Sequence, residues 1–147
     1  HVDRVCGDNP LIAPEEIDRL VEFFEKVLQA GKNIIDRLYA FNFASKMGNG
    51  YPDGFGAEIL SRILLEKLAN LDHELASREH VTRYIWSHPD QFIIRTFSAP
   101  KEIAYPSVKL DVDSQEDLDK MRALCAGLDK ESSAQNIINN YKKEFGL

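Results

Sequence analysis

A short strand that ends in an acidic turn and hands over to an amphipathic helix sets the terms for the rest of this chain. Val2–Cys6 reads as a strand, Gly7-Asp8 ends it, and Asn9-Pro10 turns the chain. Pro14 then takes a first helical position. Ile17, Leu20, Val21, Phe24, Val27 and Leu28 follow the helical period, and Gly31 closes it. In open α/β sheets ligands bind beyond the carboxyl ends of the strands, which puts Asp8 where a metal or a phosphate binds. Such a strand needs neighbours on both sides, and almost nothing precedes this one.

Strand and helix signals continue to alternate. Asn33–Ala44, rich in Ile, Leu, Tyr and Phe, predicts a strand. Gly48 to Glu58 holds four of the eight glycines with Pro52 and Asp53, so it is expected to be a loop or a tightly turning strand, where backbone makes a close approach. Leu60–Leu71 predicts a helix capped by Ser61. Ser77 is placed to cap another through Val81, Tyr84 and Ile85, stopped by Pro89. Phe92–Phe97 and Val108–Val112 read as strands. Ser114-Gln115-Glu116-Asp117 has the form of a capping box ahead of the face Leu118, Met121, Leu124, Cys125 and Leu128. A last helix is expected from about Ser133 to Phe145. The fold class is α/β, with residues 1–147 as a single domain and an irregular middle.

Composition excludes several function classes. The net charge is −6, from 18 Lys and Arg against 24 Asp and Glu, and no basic stripe appears, which argues against a nucleic-acid partner. No stretch of about eighteen apolar residues is present to cross a membrane. The two cysteines, Cys6 and Cys125, have no metal-ligand spacing and make no disulfide framework, so reduced thiols and a cytoplasmic setting are expected.

Two acidic positions share one logic. Asp8 follows a strand and precedes a Pro turn; Asp113 follows the strand expected to end at Val112 and precedes a capped helix. Two carboxylates at one sheet edge suit Mg²⁺, which binds through one or two carboxylates plus substrate phosphates. Asp before a helix also serves as a cap or turn residue, and both readings stand. In Tyr51-Pro52-Asp53-Gly54-Phe55-Gly56-Ala57-Glu58, Asp53 and Glu58 are candidates to contact a polyol, although Pro-Asp-Gly is also an ordinary turn. Arg78-Glu79-His80 is dense enough in polar groups to line a pocket, while Glu79 and Arg83 are spaced for a solvated ion pair. His73 and His88 read as surface residues.

Four motifs in order resemble the spore coat polysaccharide biosynthesis protein F family, cytidylyltransferase-like proteins related to acylneuraminate and ketodeoxyoctonate cytidylyltransferases. They are Gly7-Asp8-Asn9-Pro10-Leu11-Ile12, Tyr51-Pro52-Asp53-Gly54 with Glu58, Arg78-Glu79-His80-Val81-Thr82, and Val112-Asp113-Ser114 with Glu116-Asp117-Leu118. The resemblance implies a three-layer nucleotide-diphospho-sugar transferase-like fold. It matches the C-terminal portion of the family, without the N-terminal Rossmann-like strands and their basic nucleotide-cradling loop. By resemblance, Asp8 and Asp113 hold Mg²⁺ and the triphosphate of CTP, while Asp53, Glu58, Arg78, Glu79 and His80 form the sugar side.

The implied reaction is attack of a sugar on the α-phosphate of CTP with release of pyrophosphate, giving a CMP-sugar for surface or spore coat polysaccharide. Without the nucleotide cradle the chain is expected to be inactive alone. Its Val2–Cys6 edge is expected to pair with a second copy, giving a homodimer. The alternatives are a glycosyltransferase that uses a nucleotide-sugar and a non-catalytic assembly module. Ala13 stands where the family has an Asp cap, Gly56-Ala57 where it has Asp-Val, and Arg83 and Gln115 each where it has proline. The loop change bears on substrate identity more than on fold.

Overall fold

The computed structural model describes residues 1–44, 47–71 and 80–146. Four strands form one sheet: β1 (Val2–Val5), β2 (Leu38–Phe41), β3 (Ala57–Leu60) and β4 (Ile93–Arg95), in the order β1-β3-β2-β4. β3 runs antiparallel to both neighbours, with Val5 opposite Ala57 and Phe41 opposite Glu58, while β2 and β4 are parallel. β1, β2 and β4 therefore share a direction, and their carboxyl ends meet the amino end of β3. β1 is an edge strand of this sheet.

Alternation of side chains sends each strand's residues to two faces. On one face Leu38, Ala40, Ala57 and Ile59 pack against Leu20 and Phe24 of α1 (Pro14–Ala30). On the other, Tyr39, Phe41 and Leu60 pack with Leu64 and Leu68 of α2 (Arg62–Leu71) and Ile85 of α3 (Arg83–Ser87). These two faces make the three layers. A further cluster joins α4 (Gln115–Cys125) and α5 (Ala134–Phe145) to Tyr51, Phe55, Val108 and Leu110.

Helix starts follow the local chemistry. Ser61 Oγ accepts from Leu64 N at 2.9 Å. Ser114 Oγ accepts from Asp117 N at 3.2 Å while Asp117 Oδ2 accepts from Ser114 N at 3.0 Å, a reciprocal capping box. Ser133 Oγ accepts from Asn136 N. α1 begins without a side-chain cap, since Ala13 occupies that position and is fully buried. Pro14 compensates by presetting the first helical φ.

Three expectations need correction. The strand expected over Asn33–Ala44 is confined to Leu38–Phe41, because the chain before it folds into turns, with Leu38 N donating to Ile34 O. Of the two expectations for Gly48–Glu58, a loop or a tightly turning strand, its last two residues are strand, and that strand runs on through Leu60, where a helix was expected to begin. Val108–Val112 does not enter the sheet; it makes an isolated bridge between Lys109 and Asp53. The Ser77 cap lies outside the described residues.

Candidate functional site

Three loops converge at the end of the sheet where β1, β2 and β4 terminate. Asp53 N donates to Val108 O at 3.0 Å, Leu110 N donates to Asp53 O at 3.0 Å, and Val112 N donates to Asp8 O at 2.9 Å. The segment after Tyr105 thus runs between the glycine-rich loop and the turn after β1, and stitches them together. Glycine is required where they touch. Gly54 has φ +92°, and a Cβ there would lie 2.6 Å from the Leu110 carbonyl carbon. A Cβ on Gly56 would collide with Phe43.

The convergence encloses a cavity of about 150 Å³ whose lining includes Arg4, Asp8, Asp53, Glu58 and Asp111. Asp8, expected with Asp113 on the metal side, is thereby brought together with Asp53 and Glu58, expected on the sugar side. Asp113 does not line this cavity. Its carboxylate accepts from Lys109 Nζ at 2.9 Å, and Lys109 also reaches Asp117 at 3.0 Å and Asp111 at 3.3 Å. Those bonds hold the Lys109 ammonium protonated above its usual range, the one to Asp113 first. In return Lys109 pulls Asp113 below the ordinary carboxylate range and Asp117 down to about 2.

Asp111 is the residue that sequence reasoning missed. It sits inside the expected strand Val108–Val112, between buried Leu110 and half-buried Val112. The alternation Val108-Lys109-Leu110-Asp111-Val112, which sets Asp111 on the same side as Lys109, was the available signal.

Burial shapes the acids facing the cavity. Glu58 is 6% exposed, and its Oε1 accepts from Arg4 Nη1 at 2.6 Å across the β1–β3 pair. Glu58 Oε2 and Asp111 Oδ1 are buried without a hydrogen-bond partner. Desolvation raises the Asp53 carboxyl, and the neighbouring Asp111 charge raises it further. Burial likewise pushes the Cys6 thiol up, which keeps it protonated.

His80 is exposed ahead of α3 and is not part of the lining, while Arg78 and Glu79 lie outside the described residues. His88 stacks on Tyr84 with ring centroids 4.1 Å apart, a local contact at the end of α3.

Among the described residues no group of three His, Cys, Asp or Glu side chains is arranged to hold a metal ion unaided. Mg²⁺ needs fewer protein ligands when substrate phosphates complete its shell. Asp8 and Asp111 both line the cavity; Asp111 Oδ2 lies 3.3 Å from Lys109 Nζ, and its Oδ1 is buried without a hydrogen-bond partner. Asp8 also borders an apolar groove of about 580 Å³ lined by Pro10, Val112, Leu118, Met121 and Cys125. No described helix is long and apolar enough to cross a membrane.

No family model matches the chain. It is 29% identical to the spore coat polysaccharide biosynthesis protein SpsF of Bacillus subtilis, over 92% of this chain and 52% of that protein. It is 28% identical to an uncharacterized protein of Methanocaldococcus jannaschii, over 96% of this chain and 58% of that one. The chain thus spans about half the length of the curated relatives it matches. Among solved structures, a cytidylyltransferase from Leptospira borgpetersenii serovar Hardjo-bovis superposes with a TM-score of 0.74 at 27% identity, covering 96% of this chain and 55% of that one. The mixed sheet and its helical layers are those of a nucleotide-diphospho-sugar transferase-like fold, and in sequence and structure the chain is similar to SpsF and to a cytidylyltransferase.

Proposed function

We propose that this chain carries the metal side and the sugar side of a cytidylyltransferase that makes a CMP-sugar from CTP in the cytoplasm, for surface or spore coat polysaccharide. One observation carries the reading: Asp8, Asp53, Glu58 and Asp111 line a single cavity beyond the carboxyl ends of the like-directed strands β1 and β2. That is where open α/β sheets bind their ligands.

In this reading Asp8 and Asp111 hold Mg²⁺, and Asp53 and Glu58 face the sugar. When bound, the cation supplies charge neutralisation for the triphosphate. Asp8 borders both this cavity and the apolar groove, and so stands between the two spaces. Asp113 enters as a partner of Lys109, whose three-way bridge holds the 109–117 segment in register with the cavity.

Calorimetry of the chain with CTP and Mg²⁺ tests this. Magnesium-dependent heat is expected at millimolar nucleotide, and Asp8→Asn and Asp111→Asn should each remove it. Absence of heat from the unaltered chain overturns the assignment. In a protein of the relatives' full length, pyrophosphate release from CTP separates a cytidylyltransferase from a glycosyltransferase, which instead frees nucleotide from a sugar donor.

A second reading concerns assembly. β1 lies at the edge of the described sheet, and Val5 on it is 41% exposed. An edge strand offers unpaired backbone groups to another chain, and we propose a homodimer joined there. Light scattering over rising concentration should show a dimer; a monomer throughout rules it out.

A further inference from the structure

We infer that the Tyr39 hydroxyl and the Thr82 side chain are positioning groups: through Glu58 they fix the Arg4 guanidinium on the cavity wall, and so join the motif that ends at Thr82 to the site. The inference rests on the reading of the cavity as a substrate site. It adds the residues that set one wall of that site, with Glu58 serving the sugar side through Arg4.

Among the described residues that line the cavity, Arg4 is the one cation, beside Asp8, Asp53 and Asp111. Its side chain is 28% exposed, and its Nη1 lies 2.6 Å from Glu58 Oε1. The two residues stand directly opposite each other on β1 and β3. A guanidinium carries five N–H donors in a rigid fork, so the bond at Nη1 sets the direction of the others. Where Arg4 sits therefore depends on what holds Glu58.

A second pair of buried groups does so. Glu58 Oε2 and the Tyr39 hydroxyl are both buried with no hydrogen bond of ordinary geometry, a rare state for buried polar atoms. They complement each other, since an ionised carboxylate only accepts and a phenol has a proton to donate. Tyr39 is opposite Leu60 and Phe41 is opposite Glu58, so Tyr39 and Glu58 are diagonal neighbours on one sheet face. The electrostatics agree with the geometry. After burial itself, the Glu58 charge and hydrogen bonding to Glu58 raise the Tyr39 hydroxyl furthest above its ordinary range, while Trp86 and Thr82 pull it back as hydrogen-bond donors. A phenol oxygen gives one proton and accepts on its lone pairs. With Glu58 taking the proton and Thr82 and Trp86 donating, the Tyr39 hydroxyl is fully used.

Local structure leaves Thr82 available for this. It stands at the N-cap of α3, yet its side chain makes no capping bond and the residue is 5% exposed. A threonine at that position ordinarily accepts from the first amides of its own helix. Trp86, one turn further on, meets the Tyr39 ring edge-on with centroids 5.7 Å apart. The relay thus runs from α3 across β2 and β3 to β1, and it gives the Arg78–Thr82 motif a route to the cavity wall through its last residue.

Side-chain NMR of Arg4 in the ligand-free chain tests this, read as solvent exchange of its Nε–H. Tyr39→Phe keeps the ring and removes the hydroxyl, and exchange should quicken about two- to tenfold, the factor one hydrogen bond of ordinary strength carries. Thr82→Val should quicken it in the same direction. Thr82→Ser keeps a hydroxyl and should restore the parent rate, and this pair decides the matter if Tyr39→Phe does not fold. Ile85→Val trims the same apolar cluster without touching a hydroxyl and should leave Arg4 unchanged.

An Arg4 rate indifferent to loss of either hydroxyl overturns the inference. So does an equal response to Ile85→Val, or a Thr82→Ser variant that behaves as Thr82→Val does. Calorimetry of the same samples with CTP and Mg²⁺ keeps the two readings apart. No heat from the unaltered chain removes the cytidylyltransferase reading and leaves the Arg4 rates to decide the relay. Heat with Arg4 indifferent to the hydroxyls removes the relay alone.

Discussion

The close approach at Gly54 makes a quantitative prediction, because the chain contains its own control. Gly54 and Gly48 both have positive φ, +92° and +69°. A Cβ at Gly48 meets nothing within 4 Å, whereas at Gly54 it would lie 2.6 Å from Leu110 C and 2.7 Å from Asp111 N. Gly48→Ala therefore carries only the left-handed backbone penalty, roughly 1–2 kcal/mol. Gly54→Ala carries that penalty and must also displace backbone, which cannot yield by changing rotamer; overpacking of this kind adds roughly 1–3 kcal/mol. Urea unfolding of the two variants and the parent measures both. With a slope of about 1–3 kcal/mol per molar, Gly54→Ala should unfold at a visibly lower urea concentration than Gly48→Ala. If the two variants lose equal stability, the claim that the loop at 54 is pressed against the segment at 110–111 is wrong.

Other measurements probe the acids. Tyr51→Phe removes the hydroxyl that donates to buried Glu16 Oε2 at 2.7 Å, and unfolding should show a loss of roughly 1–3 kcal/mol; an unchanged midpoint refutes it. The Asp53 carboxyl is raised in the folded chain by burial and by Asp111, so folding favours its protonated form. That preference is fully felt below the ordinary Asp value and is lost as pH rises through the folded value. Asp53→Asn should therefore stabilise the chain at neutral pH and lose that advantage in acid, seen as converging unfolding midpoints. Asp117 behaves oppositely. Its folded value of about 2 lies below the ordinary one, so its contribution is present above the ordinary carboxylate range and disappears as pH falls toward 2. Carboxyl NMR titration should find that low midpoint, and Lys109→Met should raise it.

What could be read from the sequence was what neighbours in the chain decide. The apolar spacing from Ile17 to Leu28, the Pro14 start, the Ser61 cap and the Ser114–Asp117 box all involve residues within about one helical turn of each other, and each is present in the structure. Ala13, where a helix cap was expected to be missing, does begin α1 without one. β3 was anticipated only in part because its four residues are all buried, leaving no alternation to see, and because its pairing partners are distant in sequence.

The site was legible in part for the same reason. Asp8, Asp53 and Glu58 stood out by type and by turn chemistry, and they share the cavity. Asp111 was hidden by the apolar pattern around it. Asp113 was prominent because it follows that pattern, but Lys109, four residues earlier, engages it. Only the long-range bonds from 108–112 to Asp53 and Asp8 decide which acid reaches the cavity.

Those long-range bonds have a mechanical consequence. Three backbone hydrogen bonds splice the acid-bearing loops into one another, so the spacing of Asp8, Asp53 and Asp111 is set when the chain folds, before any ligand arrives. An incoming molecule has no loops to order here, and that component of the entropic cost of binding is already met. The amides of Asp53, Leu110 and Val112 should then exchange with solvent as a group, opening together or not at all. A change at any one loop is transmitted to the other two, which makes this end of the sheet a single rigid fitting with three separately encoded parts.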